Sequence, residues 1–248
     1  MRIPGVHIKR VFTWLQARLY VITDREKAGL IRIKTDHLTY LSTKDLFNLH
    51  QTVKSIEKAG IPGLFIETGC ALGGSAIAIG KAKKQERSFH IYDAFGMIPP
   101  PSGHDDADVH ARYQEIKEGR SAGIDGDPYY GYTDNLQAVV RANLSRHGVA
   151  PEANHIRLVA GYFEHTLAIN QPVAFAHIDC DWYESVMVCL TRIAPHLVVG
   201  GRLIFDDYYE WSGCRQAVDT YFTGKESAYT FARVGRKLHV VKVSATTP

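Results

Sequence analysis

Between residues 64 and 205 the chain alternates short, nearly continuous apolar runs with stretches of helical spacing, and this limits the fold more than any other feature. The runs are Leu64–Ile66, Phe89–Tyr92, His155–Val159, Val173–Ile178 and Arg202–Phe205. Strands that are apolar on both faces belong in a parallel sheet covered by helices on each side. The pattern therefore predicts an α/β, doubly wound sheet. Two further runs, Tyr229–Val234 and Lys237–Val243, are separated only by Gly235 and Arg236, a hairpin signal that puts an antiparallel pair at one edge.

Upstream, residues 42–60 read as a helix. Ser42 or Thr43 can cap it, Asp45 lies in its first turn, and Leu46, Leu49, Val53 and Ile56 recur at helical spacing before Gly60. Residues 96–135 break the alternation with Pro99-Pro100-Pro101, several glycines and the tyrosines Tyr129, Tyr130 and Tyr132. Long irregular insertions in compact domains are often lids, and this one is read as a lid following the second strand. The segment 11–22 is amphipathic and flanked by Lys9, Arg10 and Arg18. It reads as a helix packed on the domain or on a second subunit, in a homodimer or higher homo-oligomer, rather than on a membrane surface.

Composition narrows the function classes. A formal charge of +3 with no block of like charges does not indicate a nucleic-acid surface. No apolar stretch approaches the length of a membrane span. The four cysteines form no C-x-x-C pair or zinc spacing, and no signal peptide is seen, so free thiols in a reducing cytoplasm are expected.

Two strands run directly into acids: Val173–Ile178 into Asp179 and Asp181, and Arg202–Phe205 into Asp206 and Asp207. Parallel strands bring their C-terminal ends to one edge, where ligands bind in open α/β sheets. A helix over 183–196, with Val186, Leu190, Ile193 and Ala194 inward, makes the two strands neighbours. Carboxylates gathered in one crevice repel, so they must take up protons or share a cation. Oxygen-only donors suit Mg²⁺, Mn²⁺ or Ca²⁺ better than zinc. The plainer alternative is that these acids cap helices or pair with Arg202 or Arg215.

At the first strand, Glu67-Thr-Gly69-Cys-Ala-Leu-Gly73-Gly74-Ser75 forms a glycine-rich turn into a helix, where a ligand can approach the backbone. It is neither G-x-G-x-x-G nor a P-loop, which disfavours a dinucleotide or a triphosphate. Asp93 ends the second strand, placed to accept both hydroxyls of a ribose. A glycine turn and a ribose acid without a pyrophosphate fingerprint point to S-adenosylmethionine.

These features resemble a class I, metal-dependent O-methyltransferase. More narrowly, the stretches beginning at Ile61, Asp93, Gly161, Asp181 and Asp206 resemble the macrocin O-methyltransferase family over about residues 39–243. The resemblance departs at Cys180, where a glycine is often found. It implies one Rossmann-like domain over 1–248: a helical segment 1–42, then a core 43–248 with a mostly parallel seven-stranded sheet, an antiparallel edge strand and the lid. It implies Mg²⁺ on Asp179, Asp206 and Asp207, ribose on Asp93, and the methionine end of the cofactor at Glu67, Gly69 and Ser75. Gly161 to Phe163 would lie against adenine, Tyr40 and Ser42 in the segment closing over the cofactor, and Asp179 beside it. The implied activity is methylation of a sugar hydroxyl on a glycosylated natural product, a small-molecule acceptor. The base is Asp179 or Asp181, with coordination of Asp179 arguing for Asp181. A phenol or catechol acceptor and a non-catalytic cofactor-binding protein are the alternatives. His104, Asp105, Asp106, Asp108 and His110 read as a polar flexible loop rather than ligands, and Cys180 lacks the partner a nucleophile needs.

Overall fold

A computed structural model describes residues 23–245, so the amphipathic 11–22 segment and its Trp14, Leu15 and Leu19 lie outside the described residues. Seven strands form a single sheet: β1 (Leu64–Thr68), β2 (Phe89–Asp93), β3 (Ile156–Ala160), β4 (Val173–Ile178), β5 (Leu197–Phe205), β6 (Tyr229–Val234) and β7 (Lys237–Lys242). Their order is β3-β2-β1-β4-β5-β7-β6, with β7 antiparallel to both neighbours and the first five strands parallel. The strand order reverses between β1 and β4, which creates the crevice where such sheets take ligands.

The helices are α1 (Asp24–Thr35), α2 (Thr43–Lys58), α3 (Gly74–Ala82), α4 (Ala107–Lys117), α5 (Leu136–Arg146), α6 (Phe163–Thr166), α7 (Tyr183–Ile193) and α8 (Ser212–Phe222). Alternate strand residues serve opposite layers. Phe65, Phe89, Ile91 and Ile204 pack against α1, α2, α3 and α5, while Leu64, Ile66, Ile178, Leu203 and Phe205 pack against α7 and α8. Ala174 and Phe175 both join the first layer, because the register shifts between Val173 and Phe175. That shift and Gly200, at φ +81°, let β5 start at Leu197, earlier than the Arg202 read from sequence.

The insertion at 96–135 is not a structureless loop. It contains α4 and two short 3-10 turns, Ile124–Gly126 and Tyr130–Tyr132. Two carboxylates moor it over the C-terminal edge of the sheet. Asp105 accepts from the backbone N–H of Tyr183 at 2.8 Å, and Asp108 accepts from the N–H and hydroxyl of Ser212 at 3.1 and 2.5 Å. Free N–H groups at a helix start attract carboxylates, so these acids close the first turns of α7 and α8. No described helix is long and apolar enough to cross a membrane.

Candidate active site

The C-terminal ends of β1, β2, β4 and β5 open into a cavity of about 210 Å³. Its wall includes Tyr40, Gly69, Ser75, Asp93, Asp179, Asp181, Asp206 and Asp207. A second hollow adjoins it, sharing Gly69, Asp93, Tyr130, Asp179 and Asp181 and adding Gly161 and Phe163. Two expected residues stand off the walls. Ser42 caps α2, its hydroxyl accepting from Asp45 N–H at 3.1 Å. Glu67 is fully buried beneath the floor, bonded through Oε1 to His177 Nδ1 at 2.9 Å.

The glycine-rich turn serves the protein's own chain. Gly74 leaves room for Leu38, whose carbonyl accepts from Gly74 N–H at 3.0 Å; a Cβ there would stand 2.3 Å from that oxygen. The segment Leu38–Leu41 thus sits against the start of α3 and lines the cavity. Both oxygens of Asp93 are oriented by backbone, accepting from Cys70 N–H and Phe95 N–H at 2.7 Å each. Each carboxylate oxygen keeps a lone pair for a further donor, so Asp93 suits a diol in the hollow it faces.

Asp181 sits in a tight turn, at φ +57°, after the Thr68 carbonyl accepts from Asp179 N–H at 2.9 Å. The turn aims both acids into the cavity. Burial pushes Asp179 well above the carboxylate range, and Asp206, Asp207 and Asp181 add to it. Burial likewise raises Asp207, helped by Asp181 and Asp206. Asp181 is pushed up to about 6 by burial and by Asp206, against the pull of Arg112 and Lys237. Asp206 moves the other way. Burial opposes its charge, but His177 and Lys237 outweigh that and hold it ionised. Lys237 Nζ donates to the Asp206 carboxylate at 2.5 Å and to its backbone carbonyl at 3.0 Å. The Cys180 thiol is raised well above the ordinary range, by burial first and then by Cys189, as suits a packing residue.

The acids fit a hard divalent cation. Asp206 Oδ1 and Asp207 Oδ2 are buried without a hydrogen-bond partner, a costly state that a cation relieves. Sequence reasoning missed His177 and Lys237, and also Arg112 and Ile116 of α4, which line the cavity. A lysine opening a buried strand just after the Gly235-Arg236 turn was the available signal for Lys237. Trp182 and Trp211, read as an aromatic cluster beside the acids, wall the cavity in edge-to-face contact, and Trp182 Nε1 donates to the Pro99 carbonyl at 3.0 Å.

The chain is 31% identical over 189 residues to the 8-demethyl-8-(2,3-dimethoxy-alpha-L-rhamnosyl)-tetracenomycin-C 4'-O-methyltransferase of Streptomyces olivaceus, covering 74% of this chain and 67% of that one. It is 31% identical over 193 residues to the mycinamicin III 3''-O-methyltransferase of Micromonospora griseorubida, covering 74% and 69%. The solved structure of the O-methyltransferase NovP matches with a TM-score of 0.68 at 25% identity, over 84% of this chain and 83% of that one. The macrocin O-methyltransferase (TylF) family model matches residues 35–234, and the chain belongs to that family of methyltransferases.

Proposed function

We propose that this methyltransferase moves a methyl group from S-adenosylmethionine to a sugar hydroxyl of a glycosylated natural product, with a divalent cation such as Mg²⁺ at Asp179, Asp206 and Asp207. The observation that carries the reading is a cavity, adjoined by a second hollow, in which a diol-accepting Asp93 and a cluster of cation-seeking carboxylates share a wall. The named relatives act on sugar-bearing compounds, which favours the same acceptor class here.

When bound, the sulfonium supplies an electrophilic methyl carbon and the cation acidifies the hydroxyl beside it. The chain's residues do the rest. Asp93 and the hollow at Gly161 and Phe163 hold the nucleoside, and Gly69, Ser75 and Tyr40 surround the methionine end. Asp181 takes the hydroxyl proton, because Asp179 spends its basicity on the cation and Asp181 is a carboxylate whose proton affinity lies close to neutrality. Tyr129, Tyr130, Trp182 and Trp211 exclude water, which matters for a reaction in which opposite charges annihilate. The reaction is assigned to the cytoplasm, where the four free cysteines stay reduced.

The test is calorimetric titration of S-adenosylhomocysteine into protein stripped with chelator and into protein reloaded with Mg²⁺, followed by a panel of sugar and phenol acceptors. Binding of the cofactor product and turnover of sugar acceptors support the reading. No binding in either state sinks it, and turnover of phenols alone reassigns the acceptor.

A further inference from the structure

The residues common to the two hollows are Gly69, Asp93, Asp179, Asp181 and Tyr130. The first four stand at the ends of the parallel strands. Tyr130 comes from elsewhere, the 3-10 turn Tyr130–Tyr132 of the insertion, and is the one aromatic ring at this seam. The place matters for the proposed cofactor, whose methionine end and nucleoside are joined through a sulfonium. With ribose at Asp93 and the amino-acid end at Gly69, Ser75 and Tyr40, the positive sulfur falls at the seam between them.

The ring is held in position. Gly131 makes room for its neighbour Tyr129, since a Cβ there would stand 2.6 Å from the Tyr129 ring. Tyr129, 3% exposed, packs on Tyr130 with ring centres 4.4 Å apart, and Tyr40 meets Tyr130 edge-to-face at 6.2 Å. The Tyr130 carbonyl accepts from Thr133 N–H at 3.0 Å, which closes the turn. Burial, then Tyr129 and Asp181, push the Tyr130 phenol well above its usual range, so its hydroxyl keeps the proton. What Tyr130 offers a cation is therefore the negative face of a neutral ring. Tyr129 differs on both counts. It lines the first hollow but not the second, and the Arg112 guanidinium already stands 5.8 Å from its ring centre. Among the described residues no cation stands over Tyr130.

We infer that Tyr130 is the residue through which the insertion recognises the cofactor's positive charge, its ring facing the sulfonium. The inference rests on the proposed cofactor and adds a charge-reading contact from the insertion to it. Attraction between a cation and a ring face ends when the charge does. S-adenosylhomocysteine has a neutral sulfur, so methyl transfer itself removes this contact and loosens the insertion on the product.

The experiment is calorimetric titration of the full-length protein, Tyr130→Phe and Tyr130→Leu with two ligands. S-adenosylhomocysteine is neutral at the sulfur; sinefungin carries an amine, protonated at neutral pH, where the sulfonium stands. Tyr130→Leu keeps bulk without a ring, and should weaken sinefungin roughly tenfold while changing S-adenosylhomocysteine by no more than about twofold. Tyr130→Phe keeps the ring, and should leave the ratio of the two affinities within about twofold of the unaltered protein. Equal losses for both ligands in Tyr130→Leu make Tyr130 a packing residue and overturn the inference, leaving the cofactor reading intact. A ratio that collapses in Tyr130→Phe as well assigns the effect to the hydroxyl and overturns it too. A measurement on unaltered protein decides the matter even if the leucine variant fails to fold. S-adenosylmethionine labelled with ¹³C at its methyl should show, once bound, a methyl proton resonance moved upfield by the ring, and Tyr130→Phe should keep that shift. An unshifted or downfield resonance overturns the inference. If neither ligand binds the unaltered protein, the cofactor reading fails and the inference with it.

Discussion

A Cβ placed on Gly69 would stand 1.7 Å from the carbonyl oxygen of Asp179. The two residues directly follow β1 and β4, the strands between which the order of the sheet reverses, and their backbones touch at the floor of the cavity. Gly69 also sits at φ +82°, where a side chain is strained. Because the obstacle is backbone, no side-chain movement relieves it. Gly69→Ala should cost about 3 kcal/mol or more and push Asp179 out of line with Asp206. Thermal unfolding and S-adenosylhomocysteine titration check this together; an alanine variant with unchanged melting temperature and affinity would show that the strand ends are not so tightly joined.

Asp181 faces the cavity from its left-handed turn and shares its wall with Trp211. If it takes the acceptor proton, Asp181→Asn keeps the shape of the wall but removes the base. The turnover rate should drop by about 10²–10⁴-fold, with S-adenosylhomocysteine affinity within about twofold of the unaltered protein. Steady-state kinetics on any active acceptor makes the comparison. A rise confined to KM would assign Asp181 to binding instead.

Much of this site was legible in the chain before it was folded, and the reasons differ residue by residue. Asp93, Asp179, Asp206 and Asp207 follow apolar runs, and in a parallel sheet every such run ends on one edge. Their convergence needed no knowledge of distant contacts. His177 and Lys237 were hidden because their meaning lies across the sheet. His177 meets Glu67, 110 residues away, and Lys237 meets Asp206, 31 residues away. Helix α4 was hidden for another reason: only Val109 and Ile116 along it are buried, so its apolar stripe is too thin to register between the flanking prolines and glycines. Asp105 and Asp108 looked like surface acids because the N–H groups they bind belong to α7 and α8, far along the chain.

Asp105 is the better anchored of those two, buried in the notch where α7 and α8 begin, with a Cβ on Gly213 falling 2.1 Å from its Oδ1. Its other oxygen accepts from Ser102 N–H at 2.9 Å. Asp105→Ala leaves the Tyr183 N–H without its acceptor, at a cost of about 1–2 kcal/mol, and frees the front of the insertion. Limited proteolysis should then cut within 96–135 several times faster than in the unaltered protein, and the KM for acceptor should rise. Equal cleavage rates would mean that Asp108 and the Trp182–Pro99 contact hold the insertion unaided.

His239 gives the fold a defined response to acid. It lies on β7 between Ile204 and Ala232, is almost fully buried, and its Nδ1 has no hydrogen-bond partner. Burial, then the charges of Arg202 and His177, pull its pKa down from 6.5 to about 3. The unfolded chain therefore binds a proton between those values that the folded chain refuses. Stability is complete above pH 6.5 and declines as pH falls, and this one group accounts for about 2 kcal/mol by pH 5. Urea unfolding at pH 7.5 and at pH 5.0 measures the loss, and His239→Gln, which cannot take up the proton, should shrink it by that amount. If the variant loses as much stability between the two pH values as the unaltered protein, the acid response belongs to other buried histidines, with His50, also depressed by burial, the next to examine.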